Sequence, residues 1–243
     1  MSDSNQRLPD ASASALPRSV AELLEAVRAQ SSKSPEMAAL LLEQCSITAD
    51  DLAAWTRFDH PDSDSYGRAM VHDAGSFELM VMSWREGDMS AIHDHGYTMW
   101  GAVRLYGRAE HAIFVEAEGI LSTLERCTFE PGSVVAVNHE LIHQMGNIDE
   151  SPFVSLHLYG CDERSENVKA DARIFDLDEG RIQVTTGEAF FLLPEEQISR
   201  RGSEIHHNSV PAKNCTTSSK PPSTTRTSSS ASWKRRSTAH WGS

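Results

Sequence analysis

Three histidines are spaced along the chain in a way that suits a metal site. His93 and His95 are two residues apart and follow Gly87, and His143 comes later in the chain. Side chains two residues apart on an extended strand project to the same face, so His93 and His95 are predicted to present two imidazoles together. His143 can complete the set from a neighbouring strand. Three imidazoles leave coordination positions open, which a metal needs in order to bind substrate as well as protein.

The other histidines are weaker candidates for ligands. His143 has an Asn four residues further on, at Asn147, which His139 lacks. We therefore interpret His139 as a side chain behind the ligands or on the surface. Histidines with no matching partner in the sequence are expected to be satisfied locally or solvated; these are His60, His72 and His111. The adjacent pair His206 and His207 is interpreted as incidental.

The elements that must position these residues are mostly short strands separated by turn signals. The predicted strands are Ala69–His72, Phe77–Trp84, Met99–Tyr106, His111–Glu116, Leu121–Phe129, Ser133–Asn138 and Phe153–Tyr159. A closing strand is predicted over residues 181–186. Short strands at this spacing favour a mainly β fold, either an antiparallel barrel or a double-sheet sandwich. This class includes cupins and jelly rolls, which bind a ligand or metal in the barrel mouth.

Two or three helices are predicted before the strands. Ser19 and Glu22 form a predicted capping box for the first helix. Ser34 is the predicted N-cap of the second, with Pro35 at its first position. A third, short helix is predicted to begin at Asp50 or at the residue after it.

The chain is predicted to contain one folded domain between two disordered ends. Residues 1–16 lack the composition of an ordered element. Residues 200–243 form a basic, Ser/Thr-rich tail with few apolar side chains, so packing cannot offset its chain entropy. Residues 17–199 fit a single domain with an ordinary core, formed by the helices and the predicted barrel.

One half of a motif typical of cupins is present with a single departure. The pattern G-x5-H-x-H, then Glu, then Gly is matched by Gly87, His93, His95 and Gly107. Trp100 stands at the place of the Glu. The departure leaves three neutral histidines and no carboxylate for the metal.

Further matches lie on either side of this motif. Tyr66-Gly67-Arg68 has the form Tyr-x-Arg, residues 77–84 form an apolar strand that leads toward the first two histidines, and residues 155–159 read Ser-x-His-x-Tyr. With these matches in order, residues 66–159 resemble the type I cysteine dioxygenase family, cupin enzymes with a three-histidine iron site. The family carries a Cys near residues 97–101 in its mammalian members, and its absence here resembles the bacterial members.

The resemblance implies a role for each matched residue. The histidines at positions 93, 95 and 143 would hold Fe2+. Arg68 would pair with the carboxylate of the substrate, beside Tyr66. Three residues on one strand face would form a hydrogen-bonded catalytic relay next to the iron: Ser155, His157 and Tyr159.

The resemblance also implies the reaction, the oxidation of L-cysteine with O2 to cysteine sulfinate. An alternative substrate in the same class is 3-mercaptopropionate, whose enzymes often have Gln where this chain has Arg68. A non-catalytic, metal-binding cupin sensor is a second alternative. A zinc hydrolase is disfavoured, because Asp94 is the one acid beside the first two ligands and is predicted to point to the opposite face.

Composition limits the partners and the location that we expect. The formal net charge of −13 argues against binding nucleic acid or an anionic membrane through the general surface. The four cysteines have no C-x-x-C spacing, and neither a signal-peptide pattern nor the ~18 apolar residues of a membrane span is present. We therefore expect a cytoplasmic monomer whose partners are a small-molecule thiol and O2.

Overall fold

The computed structural model of the protein describes residues 16–163 and 167–208, together with the backbone of residues 213–216. It begins with α1 (Arg18–Arg28), α2 (Pro35–Gln44) and a 3-10 helix at Asp50–Trp55; a second 3-10 helix spans Glu195–Gln197. The strands are β1 (Gly67–Asp73), β2 (Phe77–Trp84), β3 (Trp100–Leu105), β4 (Ala109–Ala117), β5 (Ile120–Phe129), β6 (Val134–Val137), β7 (Ile142–Gly146), β8 (Phe153–Gly160), β9 (Ala172–Asp176), β10 (Arg181–Thr185), β11 (Ile198–Glu204), β12 (His206–Asn208) and β13 (Lys213–Thr216).

These strands form three sheets. The first has the order β1-β2-β8-β3-β6 and is antiparallel throughout. The second has the order β12-β5-β4-β7, with β13 also paired to β5, and the third has the order β11-β10-β9. Single bridges from His93 to His143 in β7 and to Ile174 in β9 join the second and third sheets. The mainly β, largely antiparallel architecture after N-terminal helices confirms the predicted fold class.

The two faces of β2 and β8 have different neighbours, which decides where the site lies. Apolar residues on one face pack under α1 and α2 in a common core; these include Leu79, Val81, Leu156 and Leu158. Residues on the other face point into the barrel; these include Met80, Met82, Trp84 and Tyr159. Because side chains alternate along a strand, every second residue of both strands is directed to the interior.

The predicted N-terminal cap is present in α2 and absent in α1. Ser34 caps α2 as predicted, since its Oγ accepts a hydrogen bond from the Met37 N–H at 3.1 Å. The capping box predicted for α1 is wrong, because the helix already begins after Pro17 and has no side-chain cap. Glu22 instead accepts a hydrogen bond from Arg18 Nε at 2.7 Å. None of the helices in the described part of the chain is long and apolar enough to cross a membrane.

Ordered structure continues past the predicted start of the C-terminal tail. Strand β11 pairs with β10, and β12 pairs with β5. Between them Ile205 is 1% exposed, and its N–H donates to the Gly180 carbonyl at 2.8 Å. The predicted disorder is therefore corrected for residues 200–208, because edge-strand pairing and one buried apolar side chain hold a segment of otherwise polar composition. The backbone of residues 213–216 also forms a strand, β13, whereas the predictions for residues 1–15, 209–212 and 217–243 lie outside what the structure describes.

Candidate metal centre and adjoining cavity

The three predicted ligands converge at one point inside the barrel. One ring nitrogen from each of His93, His95 and His143 lies within 4.8 Å of the other two, and Nε2 of His143 is 3.1 Å from Nε2 of His95. His95 and His143 are buried, and His93 is partly buried. The histidines at positions 93, 95 and 143 thus form a candidate metal centre of three imidazoles.

The local backbone of His93 and His95 differs from the prediction of a regular strand. Residues 85–99 form an irregular connection between β2 and β3 in which His93 makes only single bridges. The backbone of His93 exchanges two hydrogen bonds with His143, both of 2.9 Å. Gly96 then turns the chain with φ of +54°, and a Cβ there would lie 2.1 Å from the Ala170 carbonyl oxygen. Tertiary pairing, and not a strand of its own, brings the first two imidazoles together.

A hydrogen bond fixes which nitrogen His93 offers, and another orients the ring of His143. Nδ1 of His93 lies 2.8 Å from the Ala91 carbonyl oxygen, which can only accept, so the proton is on Nδ1 and the lone pair on Nε2. Nδ1 of His143 lies 2.7 Å from Nε2 of His111. Nε2 of His143 is the nitrogen on the cluster side, 3.1 Å from Nε2 of His95. In proteins, hydrogen-bond partners on the ring nitrogen that faces away from the metal orient metal-bound histidines in this way.

His111 was expected to be satisfied locally or solvated, and its hydrogen-bond partner is one of the candidate ligands, His143. Its ring is buried on β4, and it holds His143 from behind. Burial lowers the pKa of His111 to about 4, with the neighbouring His93 as a smaller cause. No spacing motif connects His111 to His143, because the contact follows from the pairing of β4 with β7, in which His111 is opposite Met145 and Ile113 opposite His143.

The charge state of the cluster suits a divalent metal. Burial lowers the pKa of His93, and it lowers the pKa of both His95 and His143 well below the usual value, with the neighbouring imidazoles adding to the effect. All three rings are therefore neutral at pH 7 and have lone pairs to share. A histidine must be neutral to bind a metal, so the residues present fit a metal with nitrogen preference.

Four further histidines lie outside the candidate metal centre. His139 is exposed on the turn before β7, as expected of a surface residue. His60 is buried and its Nε2 is 2.9 Å from Asp88, while His72 on β1 is 2.8 Å from Arg28. His207 contacts Thr123 on β5.

Ser155, His157 and Tyr159 form a continuous hydrogen-bonded chain on the interior face of β8. Oγ of Ser155 is 2.7 Å from Nε2 of His157, and Nδ1 of His157 is 2.7 Å from the Tyr159 hydroxyl. Trp84 on β2 extends the chain, because its Nε1–H donates to Oγ of Ser155 at 2.8 Å. Each link joins residues on the same face of β2 and β8, as the two-residue spacing predicted.

The Trp84 contact sets the direction of this chain. Indole N–H can only donate, so Oγ of Ser155 accepts there and the Ser155 hydroxyl hydrogen needs an acceptor of its own. Among the described residues Nε2 of His157 is the available one. His157, whose pKa burial lowers to about 3, is neutral and then donates from Nδ1 to the Tyr159 oxygen. The phenolic hydrogen of Tyr159 is left to donate into the cavity, and burial raises the pKa of this phenol.

Tyr66 and Arg68 lie beside this chain, and the guanidinium of Arg68 is already paired with Glu188. Arg68 is paired in register with Met82 on β2, and Met82 with Ser155 on β8. Its Nη1 donates to Glu188 at 3.1 Å and lies 3.5 Å from the Gly187 carbonyl oxygen. Tyr66 is buried and stacks on Trp84 with ring centroids 4.6 Å apart.

A small cavity lies between the candidate metal centre and these residues. Its volume is about 20 Å³, and it is lined by Tyr66, Met82, His93, Asp94, His95, Tyr159, Lys169, Ala172, Gly187 and Ala189. Such a volume holds about one water molecule. A substrate larger than water must therefore displace part of the wall. The segment of Gly187 and Glu188 is the candidate, because it follows the end of β10 and its atoms are hydrogen-bonded to Arg68.

Sequence reasoning missed three charged residues in or near the wall of this cavity: Lys169, Glu78 and Glu188. Lys169 and Glu78 form a buried ion pair, with side chains 8% and 4% exposed. Glu188 pairs with Arg68. Glu78 could have been found, since it interrupts the apolar run of β2 at an interior position. Lys169 and Glu188 lie in a part of the chain whose structure the sequence left open.

Asp94 lies next to the ligands but has a structural partner. It is buried, and its carboxylate pairs with Arg173 and accepts from the Arg173 N–H at 2.7 Å. Because these bonds anchor the irregular connection to β9, Asp94 fixes the position of His93 and His95. It also contributes to the cavity wall, so the prediction that it points wholly away is only partly correct.

The barrel with a trio of imidazoles in its interior defines a cupin with a candidate metal site. Residues 7–162 match the family described as "Cysteine dioxygenase type I", and the chain belongs to that family. It is 30% identical over 116 residues to cysteine dioxygenase type 1 of Homo sapiens, which covers 45% of this chain and 58% of that protein. It is 31% identical over 114 residues to the Bos taurus protein of the same name, covering 44% and 56%.

The chain thus spans little more than half of the length of these curated relatives. Among solved structures, the Schizosaccharomyces pombe Cnp3 cupin domain aligns with a TM-score of 0.34 at 12% identity, covering 41% of this chain and 66% of that one.

Proposed function

We propose that the protein is a mononuclear iron(II) thiol dioxygenase that oxidises L-cysteine with O2 to cysteine sulfinate. The observation that carries the proposal is a cluster of three neutral imidazoles, two of which line one cavity together with the buried Tyr159. Membership of the cysteine dioxygenase type I family supports the same reaction. In it both atoms of O2 are transferred to the substrate sulfur.

Iron(II) suits a set of neutral nitrogen ligands with open positions, and when bound at His93, His95 and His143 it supplies the oxygen chemistry at the sulfur. The protein would supply orientation. Arg68 binds the substrate carboxylate once Glu188 has moved from it, and so fixes which end of the thiol faces the metal centre. Apolar walls such as Met82 keep bulk water out.

Tyr159 has the second role in the proposal. The chain from Trp84 through Ser155 and His157 keeps the Tyr159 oxygen as an acceptor on one side and leaves its hydrogen for the cavity. The hydroxyl can therefore donate a hydrogen bond to a ligand beside the imidazoles. Its raised pKa keeps the proton on the phenol at neutral pH, so Tyr159 acts as a donor and not as a base.

The test combines metal content with oxygen uptake. The protein, purified and loaded with iron(II), should consume one O2 per cysteine and form cysteine sulfinate, and the zinc-loaded protein should not. A higher kcat/KM for 3-mercaptopropionate than for cysteine would overturn the assignment of cysteine as the substrate, but it would still support a thiol dioxygenase. If the protein binds metal but takes up no oxygen with any thiol, the proposed enzyme function is wrong and a metal-binding sensor is favoured.

A further inference from the structure

The Lys169–Glu78 pair stands at the cavity and has no part in the function proposed above. Glu78 is opposite Tyr159 in the pairing of β2 with β8, so its carboxylate is on the interior face that carries the relay residues. Both side chains are more than nine-tenths buried. Burying two charges costs several kcal/mol of desolvation per ion, and apolar residues of similar size would often serve stability equally well.

The ammonium of Lys169 has donors to spare. A protonated lysine carries three N–H donors and no acceptor. Among the described residues Glu78 is its one partner, and Lys169 lines the same cavity as His95 and Tyr159. A buried ammonium with unused donors beside a cavity is suited to an anionic group of a ligand.

The electrostatic surroundings place this ammonium near the other charged pair. Burial lowers the pKa of Lys169 to about 7, with Arg68 as a smaller cause and Glu188 opposing both, and an anionic group bound beside Lys169 would favour its charged form. Arg68 Nη1 lies 3.5 Å from the Gly187 carbonyl oxygen, and a Cβ on Gly187 would lie 2.7 Å from Cβ of Lys169, so the two cations flank the same glycine, each with a carboxylate next to it. A substrate carboxylate that displaces Glu188 from Arg68 enters the field of both cations.

We infer that Lys169 is a second binding group for the substrate carboxylate, which it holds together with Arg68. The inference rests on the proposed function, since it names a specificity-determining residue of that site. Two cations on one carboxylate favour thiols that carry a carboxylate over those that do not, because a missing carboxylate leaves both cations unpaired. Glu78 holds the ammonium in place and balances its charge while the cavity contains no substrate.

The experiment removes the charged pair as a unit and compares two thiols. The variant Lys169→Met with Glu78→Leu leaves no unpaired buried charge, so folding is retained, as checked by thermal unfolding and by iron content. KM for cysteine should rise by about tenfold or more, equivalent to about 1.4 kcal/mol. KM for cysteamine, which has no carboxylate, should stay within twofold of the native value. The matched control is Lys33→Met with Asp162→Leu, a surface pair 3.1 Å apart.

Three outcomes separate the possibilities. A selective rise in KM for cysteine supports the inference. Equal changes for cysteine and cysteamine, or no change for either, overturn it and leave the pair as a structural element. If the native protein turns over neither thiol, the proposed function itself fails; anaerobic binding of 3-mercaptopropionate by calorimetry then tests Lys169 alone. Should the double variant not fold, Lys169→Gln, which can still hydrogen-bond Glu78, carries the same expectation and the same contradicting result.

Discussion

At His93 and His143 the nitrogen that faces away from the cluster is already hydrogen-bonded, to a carbonyl in one case and to another imidazole in the other. Loss of any one ring therefore removes a ligand whose geometry nothing else can reproduce. We expect His93→Ala, His95→Ala and His143→Ala each to abolish iron binding and turnover. Metal analysis of the purified variants measures this directly.

The control for these variants is His139→Ala, four residues from His143 and exposed. It should keep both iron and activity; loss of iron in this variant with retention in His143→Ala would show that the third ligand was wrongly chosen. His111→Ala should be intermediate. It leaves all three ligands but removes the partner of His143, and metal affinity should fall by about 10–100-fold.

The next prediction for a single residue concerns Arg68. Removing one partner of a desolvated charge pair costs about 2–5 kcal/mol, so Arg68→Ala should raise KM for cysteine by roughly 30-fold or more. Cysteamine turnover should change little, because that thiol has no carboxylate. Arg108→Ala is the matched control, since Arg108 pairs with Asp149 on the surface, where its side chain is 44% exposed. Equal effects on the two thiols would exclude Arg68 as the carboxylate partner.

Burial of His157 predicts instability in acid. Its pKa is lowered to about 3 in the folded protein, chiefly by burial, against about 6.5 in an unfolded chain. As the pH falls below about 6.5 the unfolded chain takes up a proton that the folded protein refuses, so the stabilisation present above that pH is lost progressively toward about pH 3. Urea unfolding of the metal-free protein should show this loss, and His157→Gln should show a shallower pH dependence. A slope unchanged in the variant would contradict the prediction.

At the scale of the element, the strands that alternate clearly were the ones that could be predicted. β2 and β8 matched the expected bounds to within one residue, and the two-residue spacing of Ser155, His157 and Tyr159 correctly put them on one face. β7 was not predicted, because its five residues, Ile-His-Gln-Met-Gly, give little alternation. The connection that carries His93 and His95 was expected to be a strand, but its conformation depends on pairing with β7 and β9, which local sequence does not encode.

The strand β12 and the residue before it offer a test of how the C-terminal segment contributes. Ile205 is 1% exposed in a core cluster with Phe114 and Leu121. Ile205→Ala should lower the free energy of unfolding by about 2–4 kcal/mol, as for other buried aliphatic truncations. Ile120→Ala on neighbouring β5 is the control, since that side chain is 45% exposed, and should cost much less. Similar losses in the two variants, measured by urea unfolding, would mean that the segment after β11 is not docked in solution.

At the scale of the whole molecule, the class of fold and the three candidate ligands followed from patterns in one stretch of sequence, whereas the wall of the cavity did not. Lys169 and Glu188 come from the segments around β9 and β10, which had no motif and only a weak strand signal. They reach the site because the third sheet closes the barrel over the histidines. Residues that reach a site through the closure of a sheet have no fixed spacing from the residues they meet, so a single sequence cannot reveal them.

The contact of Glu188 with Arg68 has a consequence for affinity. For any substrate whose carboxylate binds Arg68, Glu188 is a competitor tethered to the same chain, and its effective concentration does not change with dilution. The apparent dissociation constant is then the intrinsic one divided by the fraction of molecules in which Arg68 is free. Gly187 has φ of +116°, and a Cβ there would lie 2.7 Å from Cβ of Lys169, so the close approach of this segment to Lys169 requires glycine. The substrate concentration that half fills the site therefore depends on how often Glu188, the residue after this glycine, leaves Arg68.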